Sequence, residues 1–209
     1  MRRSACSLAV VAVLALSLVP SPGGAAEPDR SVDFTVFRDG APIGHHRVSV
    51  RPDGDRTEVQ VDIALDVWFA FLKVYTYRHR STEIWQGDRL ISLDSRTDDN
   101  GTAMRAVMQA TPDGLRGSGS AGPVRLPADA VPSSYWTPAL TSGRPLFDSQ
   151  DGHALDVTVR AEGGGWWAMD GEVKLKLSYS PDGVWSGMTF RLKGSDFEYQ
   201  PRIAAQAGS

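Results

Sequence analysis

The chain has 209 residues, 22 Lys and Arg against 25 Asp and Glu, a formal net charge of -3 and one cysteine, Cys6. Mild acidity with no basic run argues against nucleic acid or an anionic membrane surface as partner. One thiol excludes an intramolecular disulfide, a multi-cysteine zinc site and an iron–sulfur cluster.

In chain order, the first element is an export signal. Arg2 and Arg3 precede an apolar stretch at residues 8–19, and Pro20, Pro22, Gly23 and Gly24 break it before Ala25-Ala26. That is the three-part layout of a cleavable signal peptide ending near Ala26. The stretch is shorter than the roughly 18 apolar residues a membrane-spanning helix needs. Cleavage removes Cys6 and both arginines, so the mature chain is expected to lack any thiol and to carry about -5 (-3 less two arginines). Arginine dominates the bases and Asn100 is the only asparagine, a bias expected of a GC-rich bacterial genome. The expected location is therefore periplasmic or secreted.

Residues 27–209 read as one all-β domain. Asp39-Gly40, Asp53-Gly54, Asn100-Gly101, Asp113-Gly114, Asp151-Gly152, Asp170-Gly171 and Asp182-Gly183 punctuate the chain with tight-turn signals. Between them, Val32, Phe34 and Val36, then Val59, Val61, Ile63 and Leu65, then Val173, Leu175 and Leu177 alternate with polar residues. A period of two buries one face of a sheet. Residues 103–110 are short enough for a helical turn but read as strand. The pattern predicts a single antiparallel curved sheet, barrel-like or a sandwich.

Residues 67–72, Val-Trp-Phe-Ala-Phe-Leu, are apolar on both faces. They fit a central sandwich strand covered on both sides, or a bend whose inner face lines an apolar cavity. From 117 to 150 the texture changes, with Gly117-Ser118-Gly119-Ser120-Ala121-Gly122 reading as a flexible loop, followed by Pro123, Pro127, Pro132, Pro138 and Pro145. Dense prolines cannot serve a sheet interior, so this is a long proline-rich excursion. The tail after 203 reads as disordered.

Polar candidates are sparse. His45 and His46 are adjacent on a strand and point to opposite faces, and His79 and Glu83 are spread along one, so no metal site is expected. No serine stands in a nucleophile-elbow pattern, no cofactor motif is present, and no catalytic residue is assigned. The run Asp94-Ser95-Arg96-Thr97-Asp98 offers carboxylates and a guanidinium, and with His79 supplies the polar candidates Asp94, Arg96, Asp98 and His79. Its simpler account is a strand end leading into the Asn100-Gly101 turn. Among the six tryptophans, Trp136 beside Tyr135 and Trp167 beside Trp166 stand apart, since a neighbouring pair cannot both face the core.

Two stretches, Ser92-Leu93-Asp94-Ser95-Arg96-Thr97-Asp98-Asp99-Asn100-Gly101 and Pro132-Ser133-Ser134-Tyr135-Trp136-Thr137-Pro138-Ala139-Leu140, resemble an uncharacterised exported bacterial family, domain of unknown function 6134. Phe37-Arg38-Asp39-Gly40, Tyr75-Thr76-Tyr77-Arg78-His79 and Gly194-Ser195-Asp196-Phe197-Glu198-Tyr199 are further shared pieces. The resemblance implies an all-β exported domain and carries over no activity, ligand or catalytic residue.

The leading functional expectation is a periplasmic binding or carrier module for an apolar small molecule or lipid, with Trp68, Phe69, Phe71, Tyr135, Trp136 and Trp167 as ligand contacts. The alternatives are a protein-interaction module of an envelope complex, or an enzyme acting on a lipid-like substrate. The expected partners are an apolar small molecule or lipid, or an envelope protein. No cofactor, nucleic acid or mature transmembrane segment is expected.

Overall fold

The computed structural model describes residues 29–202. The export signal expected at 1–26, Cys6 within it, and the tail after 203 lie outside the described residues. Thirteen antiparallel strands form one large sheet. They are β1 (Val32–Arg38), β2 (Ala41–Asp53), β3 (Arg56–Phe69), β4 (Leu72–Gln86), β5 (Arg89–Asp99), β6 (Thr102–Thr111), β7 (Gly114–Gly119) and β8 (Gly122–Leu126), then β12 (Val157–Gly163), β13 (Trp166–Gly171), β14 (Leu175–Tyr179), β15 (Trp185–Leu192) and β16 (Ser195–Pro201). Between β8 and β12 lie β9 (Val131–Pro132), a 3-10 turn (Pro138–Thr141), β10 (Leu146–Phe147) and β11 (Ala154–Leu155). No described helix is long and apolar enough to cross a membrane, which leaves strand-based crossing unaddressed.

Neighbours in sequence are neighbours in the sheet, as the turn signals predict. Asn100 and Gly101 both have positive φ, 51° and 91°, and join Asp99 to Thr102 in a two-residue hairpin. That geometry matches the twist of the flanking strands. The meander closes on itself at one place: β1 pairs with β16, Val36 opposite Tyr199, so the first and last strands meet inside the sheet. Its two edges are β12 and β8, and the sheet is not closed.

The excursion begins later than its glycine-rich start suggests. Residues 114–126 continue the sheet as β7 and β8, and the chain leaves it only after Leu126. Glycine serves here for close approach rather than flexibility. A Cβ on Gly117 would lie 1.8 Å from the Val107 carbonyl oxygen, and one on Gly119 would lie 1.6 Å from that of Asp151. The second contact seats the excursion directly on β7.

Residues 127–156 fill the curve of the sheet. The Trp136 indole N–H donates to Glu83 on β4 at 3.1 Å, while the Tyr179 hydroxyl on β14 donates to the carbonyls of Tyr135 and Thr137 at 2.8 and 2.9 Å. β4 and β14 are six strand steps apart in the sheet order β14-β15-β16-β1-β2-β3-β4. Laid flat, that separation is about 29 Å. Adjacent residues reach both strands only because the sheet curls around them. Trp85, Trp136 and Trp185, with Phe34, Leu93, Met108, Leu140, Phe147 and Leu177, form the enclosed apolar core.

Candidate functional site

The strands facing the excursion are not uniformly apolar. On β4 the inward row is Tyr75, Tyr77, His79, Ser81, Glu83 and Trp85, and on β5 it continues with Ser95 and Thr97. A polar inner face under a tight cover is the unusual feature of this molecule, because buried polar groups cost free energy unless paired. The excursion supplies partners for Tyr77, Glu83 and Ser95. Ser95 donates its hydroxyl proton to the Ser149 carbonyl, and Tyr77 donates to Gln150 Oε1 at 3.0 Å. Ser133 Oγ accepts from the Ser149 amide at 3.1 Å.

Glu83 is the centre of this seam. It is fully buried, and its Oε2 accepts from the Trp85 and Trp136 indoles at 2.7 and 3.1 Å. Burial pushes its carboxyl above the usual carboxylate range, against the pull of the Trp85 and Trp136 indoles. Oε1, together with the hydroxyls of Ser81 and Ser134, has no hydrogen-bond partner. Trp136→Phe keeps the apolar bulk and removes one of the two donors. It is expected to lower the urea midpoint by the equivalent of about 1–2 kcal/mol. An unchanged midpoint would show that the Glu83–Trp136 bond adds nothing to holding the excursion down.

Two histidines share this interior. His46 on β2 and His79 on β4 both pair across Ile63 of β3. His46 sits with its ring 4.9 Å from Trp185 and 5.6 Å from Tyr199, and neither ring nitrogen has a partner. His79 Nδ1 lies 2.8 Å from the Thr97 hydroxyl. Burial lowers His46 to about 3 and His79 to about 4, so both rings are neutral at pH 7. His79 and Thr97 have the spacing of a base and a hydroxyl, yet both are buried and the base is weak. Tyr135 adopts φ 63°, a conformation uncommon for a side-chain-bearing residue, with its carbonyl fixed by Tyr179.

The residues singled out from sequence do not converge. Asp94, Arg96 and Asp98 lie exposed on the outer face of β5, where Asp94 pairs with Arg105 at 3.0 Å and Asp98 caps the Gly101 amide at 2.7 Å. His79 is buried on the inner face of the neighbouring strand, and Tyr135 faces Trp185 across the curl. Strand alternation separates the two sets, so they make no common catalytic cleft. Trp136 is core, and Trp167 on β13 packs half-buried against it.

Apart from Val67, which is buried, residues 67–72 are neither a covered central strand nor a cavity wall. They form the tip of the β3–β4 hairpin, with Phe71 93% exposed, Phe69 77%, Leu72 61% and Trp68 57%. Pairing of β3 with β2 ends at Leu65, and pairing of β4 with β5 ends at Tyr77. Thr76 is still held by Asn100, whose amide donates to its carbonyl at 2.8 Å, and beyond it the hairpin is a free two-stranded ribbon. Asp66 at its base accepts two hydrogen bonds from Arg78 at 2.8 and 2.9 Å and pairs with Lys73 at 3.2 Å. The Lys73 ammonium lies 5.1 Å above the Trp68 ring.

Among the described residues, two of the clefts are open to solvent and bear on the site. One of about 520 Å³ is lined by Phe37, Lys176, Phe190 and Phe197. The other, about 680 Å³, has Trp85 and Trp136 as part of its lining beside Asp55, Arg56 and Asp88. In the excursion, Asp148, Asp151 and His153 bring ligand atoms within 4.8 Å of one another, although the His153 ring is already paired with Asp151 at 2.6 Å. The inner polar row and the paired loop acids escape sequence reading because nothing in their spacing distinguishes them from surface residues.

No curated protein and no solved structure gives a significant match to this chain. The model of one protein family matches residues 34–202, a span that includes both motif stretches at 92–101 and 132–140. By that match the chain belongs to the family described as domain of unknown function (DUF6134).

Proposed function

We propose that this protein is an exported β domain that docks onto an apolar partner at the cell envelope through the tip of its β3–β4 hairpin. Export rests on the layout of residues 1–26, and docking rests on one observation. Trp68, Phe69, Phe71, Leu72 and Val74 stand exposed together on a ribbon that no neighbouring strand supports. Contiguous exposed apolar surface marks an interaction site. Covering three aromatic side chains and a leucine is worth on the order of 5–10 kcal/mol before the cost of association.

The same structure weakens the picture of a lumenal carrier. Residues 127–156 occupy the space inside the curl, and Trp68, Phe69 and Phe71, expected to line a cavity, are on the outside. An apolar lipid or an envelope protein is therefore met at the surface. A second reading, a small-molecule site, is favoured by the 680 Å³ cleft beside Trp85 and Trp136.

Fractionation of the producing cells tests docking. The doubly substituted Trp68→Ser, Phe71→Ser chain is expected to keep the wild-type thermal midpoint, since both side chains are exposed, and to leave the envelope fraction for the soluble one. Equal partitioning of wild type and variant would end the docking proposal.

A further inference from the structure

We infer that the partner of the hairpin tip is the surface of a lipid bilayer, which the tip enters to interfacial depth; this rests on the docking reading above. The first argument is the distribution of apolar groups. Trp68 pairs across the ribbon with Lys73, and the next pair, Phe69 with Leu72, points to the other face. Phe71 projects from the turn itself. A protein groove or a second copy covers one face of a ribbon well. A lipid surface surrounds both faces and the end.

The second argument is length. From Asp66, which pairs with Thr76, to Phe69 the ribbon extends about 10 Å past its last supported pair. That suits an interfacial element buried about 5–10 Å into the headgroup and acyl boundary. A strand that crosses a bilayer needs roughly 9–11 residues, so the ribbon dips in and does not span. Its outward backbone groups have no neighbouring strand, and only at interfacial depth does water remain to satisfy them.

The third argument is the chemistry of the collar. Trp68 is the side-chain type that settles at a membrane–water boundary, and Lys73 over its ring can lay its alkyl stem along the apolar surface with the ammonium toward headgroups. The one acid of the ribbon, Asp66, is neutralised by Lys73 and Arg78. Acidic residues stand at both ends of the sheet, and at the tip's end Asp39 pairs with Arg38 and Asp196 with Arg191. Leu192, 53% exposed, ends β15 on the same side as the tip. Even the turn departs from the rule of the fold. Residue 70 is an alanine with φ 53°, where the neighbouring hairpins carry Asp39-Gly40 and Asn100-Gly101. With an acidic chain overall, the attraction is apolar and the fitting surface is a neutral one.

Co-sedimentation with phosphatidylcholine vesicles tests this, using wild type and Trp68→Ser, Phe71→Ser proteins recovered after export with identical N-termini. Wild type is expected to pellet with the vesicles, with affinity changed less than about twofold by 0.5 M salt. Adding phosphatidylglycerol is expected to raise affinity by less than about fivefold, the worth of one lysine. The variant is expected to bind at least about tenfold more weakly. A wild type that stays in solution with every vesicle composition, or a variant that binds as well as wild type, overturns the inference. If vesicles fail while the substitutions still release the protein from the envelope, docking stands and the partner is a protein. A concentration-dependent dimer that the same substitutions abolish in sedimentation velocity makes it a second copy instead.

Discussion

Lowering the pH from 7 to 5 is expected to remove on the order of 2 kcal/mol of stability for each of two buried histidines. His46 titrates at about 3 and His79 at about 4 in the folded protein, against 6.5 when unfolded. Between those values the unfolded chain binds more protons than the folded one. Stability is therefore complete above 6.5 and falls as the pH drops toward the folded values. Glu83 and Asp148, both raised by burial, act with the opposite sign. Their contribution opposes that loss within the interval between the ordinary carboxylate range and their folded values. Urea titrations at pH 7, 6 and 5 measure the slope, and a flat profile would contradict the burial of both rings. His46→Phe separates the two histidines. The phenyl ring keeps the contacts to Trp185 and Tyr199 and removes two nitrogens that have no partner. The variant is expected to be at least as stable as wild type at pH 7, and more stable at pH 5 by about 2 kcal/mol.

Trp185→Ala is expected to cost about 3–5 kcal/mol, a large share of the total for a domain of this kind. Trp185 is 1% exposed and touches aromatic rings from four other elements: Phe34 at 4.4 Å, His46 at 4.9 Å, Tyr135 at 5.7 Å and Tyr199 at 5.9 Å between centroids. Its indole N–H donates to the Gly187 carbonyl at 3.0 Å. Because Tyr135 belongs to the excursion and the others to the sheet, the substitution loosens the filling of the curl along with the core. A fall in thermal midpoint of roughly 10 °C is expected. A shift below about 2 °C would mean that the excursion and sheet repack without it.

Much of the fold was legible because local chemistry and the global pattern agree. Asp-Gly and Asn-Gly pairs marked hairpins, and alternation marked β1, β3 and β14. Adjacent His45 and His46 were placed on opposite faces, and they are: His45 pairs outward with Asp62 at 3.1 Å while His46 is buried. What stayed hidden depends on register and on partners far away in sequence. The run at 67–72 has the composition of a buried strand. All of it but Val67 is exposed because β3 and β4 outrun β2 and β5, and strand length relative to neighbours is not written in any short window. On β4 the inner row from Tyr75 to Trp85 and the outer row of Thr76, Arg78, Arg80 and Thr82 are both polar, so alternation gave no contrast to read. Gly117 and Gly119 resembled a flexible loop because the carbonyls pressing on them come from Val107 and Asp151.

The pairing of β1 with β16 has a consequence for when this molecule becomes a protein at all. Val36 and Tyr199 stand side by side although they are the width of the chain apart in sequence. Strand β1 keeps a bare edge, in what will be the middle of the sheet, until β16 is there to pair with it. Contacts of such long range come late and slowly. The architecture thus makes the joining of its two halves wait on the strand farthest along the described chain, however early the hairpins on either side have formed.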